Sequence, residues 1–185
     1  DDFIAGLLPP DGVPLGCMGR ITLLYFLLVL PAFAQESREG TIDRNKDLPR
    51  IVREISAEVG RTTSKGEKAL VVWVVDNTSA FRSSGQGKLL AGSIRDSFPG
   101  DVYHSLFALG DPTEGLLAPT RDLEKIADGL DTLAKRPPDN LIKNCLLGVR
   151  VAAKSASRFK GNRFVVLFTP TNGDNEDHLE ETLKF

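Results

Sequence analysis

The chain has 185 residues, enough for one domain with a real core, and its apolar (41%) and charged (26%) fractions are those of an ordinary soluble protein. A net charge of −2 without acidic or basic blocks argues against a nucleic-acid-binding or strongly basic membrane-binding surface. Two cysteines, Cys17 and Cys145, imply no disulfide framework.

Residues 1–17 precede a start methionine and, rich in Pro and Gly, read as translated upstream sequence. Met18-Gly19-Arg20 is a short basic start, and Ile21–Leu30 is an apolar run of about ten residues, too short to span a bilayer. Pro31-Ala32-Phe33-Ala34 supplies a small–x–small cleavage pattern, with the cut expected before Gln35. Residues 18–34 are thus expected to be a signal peptide. The mature protein is expected to be secreted or periplasmic, free of disulfides, and off the membrane once the signal is removed.

Residues 35–65 are expected to hold a charged linker and an N-terminal helix, with residues 66–185 forming the domain. The helix is predicted over Asp47–Gly60. Leu48, Ile51, Val52, Ile55 and Val59 share one face, Asp47 caps, Pro49 fits the first turn and Gly60 ends it. Ala69–Val75 is an unbroken apolar run that suits a strand buried on both faces, and it leads into Asp76. A loop over Asn77–Gly87 precedes a helix over Lys88–Phe98, broken by Pro99-Gly100. Val102–Leu109 reads as a second strand, and Leu116–Ala118 as a short edge strand returning through a turn at Gly110–Gly115. Thr120 is expected to cap a helix over Arg121–Lys135, and Asp139 one over Leu141–Phe159. Arg163–Thr169 is a second continuous apolar strand, Pro170–Asp177 a polar loop, and His178–Phe185 the start of a helix. Strands alternating with helices predict an α/β fold of three layers, doubly wound, with a mainly parallel sheet and one antiparallel edge strand. The domain is expected to be incomplete at its C-terminus.

A carboxylate at the C-terminal end of such a strand lies where open α/β sheets bind ligands. Nucleotide-binding loops do not match here. Around Gly85-Gln86-Gly87-Lys88, Leu89 stands where a P-loop needs Ser or Thr, Arg82 stands for its first Gly, and Leu90 for the third Gly of a dinucleotide fingerprint. An aspartyl-phosphate phosphatase or hydrolase using Asp76 as nucleophile lacks its usual partners, since Thr78 stands where the general acid is expected. His104 and His178 have no ligand-spaced partners, Cys145 sits on an apolar helical stripe, and no G-x-S-x-G occurs.

Asp76-Asn77-Thr78-Ser79-Ala80 is a form of D-x-S-x-S, and with the element order over Lys68–Phe185 it resembles the von Willebrand factor type A (VWA) domain. The segment LVVWVVD is similar to the first strand of exported bacterial VWA proteins of the planctomycete kind. The resemblance implies a Rossmann-like VWA fold and a non-enzymatic, protein-binding role. It also implies a metal-ion-dependent adhesion site in which Mg²⁺ is held by oxygens from several loops and one position is left for an acidic side chain of a protein partner. Carried over by position, the metal ligands are Asp76, Thr78 and Asp139. Ala80 and Pro170 stand where the family has further ligands, so the site is degenerate; Asp174 and Asp177 in the next loop are substitutes that no motif places. A VWA-like scaffold without a metal site is the other outcome. In that case Asp139 is a plain helix cap, Thr78 and Ser79 make turn hydrogen bonds, and the loop acids are solvated.

Overall fold

The computed structural model describes residues 44–77, 81, 85–110, 112–137 and 145–169. The expected leader and the helix start at His178 lie outside the described residues. The elements are α1 (Arg44–Thr62), β1 (Ala69–Asp76), α2 (Gln86–Ser97), β2 (Tyr103–Leu109), β3 (Glu114–Thr120), α3 (Leu123–Lys135), α4 (Cys145–Ala156) and β4 (Asn162–Phe168).

The strands form one sheet in the order β3-β2-β1-β4. β1 runs parallel to both β2 and β4, while β3 pairs antiparallel with β2 through an irregular register. All eight residues of β1 are buried, as a central parallel strand with helices on both faces must be. Val71, Trp73 and Val75 point into one core with Leu48, Val52, Leu90, Ile94, Ile126 and Leu130, so α1, α2 and α3 cover that face. Leu70, Val72 and Val74 point the other way, onto Cys145, Val149 and Ala152 of α4. The fold is therefore a three-layer, doubly wound α/β arrangement with an antiparallel edge strand. Burial of each large apolar side chain of β1 contributes about 1.5–3 kcal/mol, which makes this strand the main source of cohesion.

Several boundaries differ from the sequence expectation. α1 begins before Asp47 and passes Gly60 to Thr62, so Pro49 lies inside the helix rather than in its first turn. The extension is held by the Thr62 hydroxyl, which donates to the Glu58 carbonyl at 2.7 Å, and by the Arg61–Glu58 ion pair. The α3 cap is Asp122, not Thr120: its carboxyl oxygen accepts from the Glu124 N–H at 3.2 Å. Thr120 is still paired to His104 in β3, and its hydroxyl accepts from the Asp122 N–H at 3.1 Å. β3 spans seven residues, longer than the predicted edge strand. α4 ends at Ala156 rather than Phe159.

The junction from α4 into β4 depends on Gly161. Its φ is 146°, and a Cβ there would collide with the Lys68 carbonyl, the same group that accepts from the Asn162 N–H at 2.8 Å to open the β1–β4 pairing. Gly161→Ala is expected to lower stability by about 2 kcal/mol or more, measured by urea denaturation.

One polar pair lies inside the α1–α3 core. The Trp73 indole N–H donates to His104 Nδ1 at 3.1 Å, and the Phe98 ring stands edge-on to the imidazole at 4.8 Å. Because indole is only a donor, His104 must be the neutral tautomer with its proton on Nε2. Burial lowers its pKa from the usual 6.5 to about 4. As the pH falls below about 6.5 the unfolded chain takes up a proton that the native state refuses until about 4, so the stabilisation present above 6.5 is lost over that interval. Through this residue, stability should fall by about 2 kcal/mol between about pH 7.5 and about pH 5. His104→Asn keeps an acceptor for the indole without a titrating ring, and its loss over the same interval should be much smaller; equal pH slopes would contradict the assignment.

Candidate functional site

The parallel strands β1, β2 and β4 all end on the same edge of the sheet. Val75 pairs with Phe168, so the residues that follow, Asp76 and Thr169, are neighbours. Alternation puts both on the α4 face, with Val74 and Leu167. Asp76 is 0% exposed, and the Thr169 hydroxyl donates to its Oδ2 at 2.9 Å. The wall of α4 comes close here because residue 148 is glycine: a Cβ would run into the Leu109 side chain and meet Val74 at 3.6 Å.

Asn77 follows, 7% exposed. Its Nδ2 donates to the Pro137 carbonyl at 2.9 Å, which fastens the exit of α3 to the end of β1. Its Oδ1 is buried and has no hydrogen-bond partner among the described residues. The exit of α3 is held a second time by the Arg136–Glu114 ion pair at 2.5 Å, and the guanidinium holds Glu114 below the usual carboxylate range. Beyond Asn77, Phe81 is fully buried and packs edge-on against Phe168 at 5.7 Å, so the loop after β1 has an apolar anchor on β4.

Of the sequence-predicted ligands, Asp76 stands at this edge, while Thr78 and Asp139 lie outside the described residues, as do Pro170, Asp174 and Asp177. Among the described residues no group of three or more His, Cys, Asp or Glu side chains comes together. His104 is a core residue near the start of β2, away from the edge, and Cys145 is buried on α4, as its place on an apolar stripe suggests. The pairing of Thr169 with Asp76 and the fastening by Asn77 were not apparent from the sequence. A hydroxyl closing the apolar run RFVVLFT was the available signal for the first, and a single Phe in a polar loop was the signal for the anchor at Phe81.

Chemically, the edge presents oxygen: a carboxyl group, a hydroxyl and an unsatisfied carboxamide oxygen. Such hard donors suit Mg²⁺, although the described residues supply only one carboxylate to it. No model of a known protein family matches the chain, and no curated protein matches it significantly. Among the described residues no helix is long and apolar enough to cross a membrane. Function has to be argued from the chemistry of the edge itself.

The Thr169–Asp76 bond is a buried hydrogen bond to a carboxyl group. Thr169→Val should destabilise the protein by about 1–3 kcal/mol, while Thr169→Ser, which keeps the donor, should lose clearly less when unfolded in urea.

Proposed function

We propose that the chain carries an exported, VWA-like protein-binding domain that binds its partner at the C-terminal edge of the sheet, around Asp76. The observation that carries this reading is the fully buried Asp76 at the end of the central parallel strand, bonded by Thr169 and followed by an acceptor that has no donor among the described residues. An antiparallel edge strand beside β2, and paired helices before β4, agree with the element order from which the resemblance was drawn.

In this reading Asp76, Thr78 and Asp139 hold a divalent cation. The Asn77–Pro137 contact supports their convergence, since Pro137 precedes Asp139 by two residues. When bound, Mg²⁺ supplies a coordination position for an acidic side chain of the partner. The chain's own residues do the rest: Thr169 orients the Asp76 carboxyl group, and Phe81 anchors the loop that carries Thr78.

The aspartyl-phosphate alternative is disfavoured by its missing partners, since Thr78 stands where the general acid is expected. Titration of the full chain with Mg²⁺ and Mn²⁺ in a calorimeter should give saturable heat that Asp76→Ala abolishes. With cation present, an Asp- or Glu-bearing peptide should be retained, and released by EDTA. No heat, together with no effect of Asp76→Ala on peptide retention, would leave only a scaffold. Turnover of a phosphomonoester lost on Asp76→Asn would favour the hydrolase instead.

A further inference from the structure

We infer that Asn77 is a further ligand-holding residue of this edge, its side-chain oxygen receiving a hydrated divalent cation either directly or through one of the cation's waters. The inference rests on the cation-assisted reading above and deepens it. In the D-x-S-x-S pattern Asn77 occupies the unspecified position, so the motif gives it no role.

Three observations carry it. The orientation of the carboxamide is fixed: Nδ2 donates to the Pro137 carbonyl at 2.9 Å, and the flipped amide would set Oδ1 against that carbonyl oxygen. Oδ1 is therefore turned away from Pro137. It is buried, on a residue only 7% exposed, and has no donor among the described residues. Leaving such an acceptor unsatisfied is a net cost to the fold.

Its neighbours among the described residues offer it no donor. Asp76, next in the chain, brings only acceptor oxygens as a carboxylate; Pro137 brings a carbonyl; the Thr169 hydroxyl gives its proton to Asp76. A buried acceptor without a donor is the electrostatic condition that a cation relieves. Carboxylate, hydroxyl and carboxamide oxygens are also the hard ligands that Mg²⁺ takes, and its retained waters are donors. One residue thus combines two tasks: its nitrogen fastens the exit of α3, and its oxygen faces the ligand.

The two tasks are separable with Asn77→Leu and Asn77→Asp. Leu is similar in shape and has no acceptor; Asp keeps oxygen but loses the N–H that Pro137 accepts. Mg²⁺ titration of the full chain, with Mn²⁺ electron paramagnetic resonance as a second readout, should show affinity weakened about 10–100-fold in Asn77→Leu. In Asn77→Asp, affinity should be retained or increased, although metal-free stability falls with the lost Pro137 bond. Melting curves without metal establish that each variant is folded. Equal weakening in both variants would assign the effect to the Pro137 contact and overturn the inference. Unchanged affinity in Asn77→Leu, with binding abolished in Asp76→Ala, would overturn it while leaving the cation-assisted reading intact. Absence of Mg²⁺ and Mn²⁺ binding in the wild-type chain would overturn both.

Discussion

The structure depends on one constraint: β1 is a strand with no solvent face. Its residues alternate between two cores, and each needs a cover. Three helices supply one cover and α4 the other, so a run of eight residues fixes the number of layers before any loop is considered. Parallel pairing on both sides follows from the same requirement, because crossovers between parallel strands are what place helices over the two faces. The antiparallel β3 is added at the margin, and it is the strand with half-exposed and exposed positions throughout.

A fully buried strand also restricts where polar chemistry can sit. Within the sheet, polar groups have to find partners on neighbouring strands, and two pairs here meet that need across β1. Trp73 donates sideways to His104 on β2, and Asp76 accepts from Thr169 just beyond β4. The first pair is enclosed by aromatic rings and serves packing; Phe98 closes it from the end of α2. The second is at the edge where strands give way to loops, and it is continuous with Asn77 and, through Asn77, with the end of α3. Each place leaves one buried polar atom without a partner among the described residues, His104 Nε2 in the core and Asn77 Oδ1 at the edge. The places differ in that aromatic rings wall in the first, while the second lies where strands give way to loops.

Much of this was legible in the sequence, for a definite reason. An apolar run such as ALVVWVV and helical stripes such as Ile126, Leu130 and Leu133 encode burial locally, so element type and order could be read off directly. Element ends were less legible, because they turn on competition between neighbours. Thr120 and Asp122 are both good helix caps, and only the pairing of Thr120 with β2 decides for Asp122. Gly60 is a plausible helix end, yet Thr62 and Arg61 both satisfy groups of the preceding turn and carry the helix past it. The site was half legible. Asp76 stands out by contrast with the run before it, but its contact with Thr169 depends on the register between two strands 93 residues apart in sequence, and a period of two does not fix that register. Asn77 was invisible for another reason: its role is set by the carbonyl of Pro137, a backbone group that carries no sequence signature.

Stability alone does not account for this edge. A buried carboxyl–hydroxyl pair at a sheet end gains little over two apolar side chains of similar shape, since replacing both partners of a buried polar pair by apolar groups can be nearly neutral or stabilising. The neighbouring positions show that apolar residues fit: Val74 and Leu167 pair on the same face of the same two strands, both buried. Beside the pair, the carboxamide oxygen of Asn77 has no partner among the described residues, which adds a further cost. Polar groups thus follow one another at the C-terminal end of a parallel sheet, the edge at which open α/β folds take their ligands. The rigid covers on both faces then have a second consequence. Because β1 cannot shift without disturbing two cores, Asp76 is held at a fixed point, and with it the Thr169 hydroxyl that donates to it.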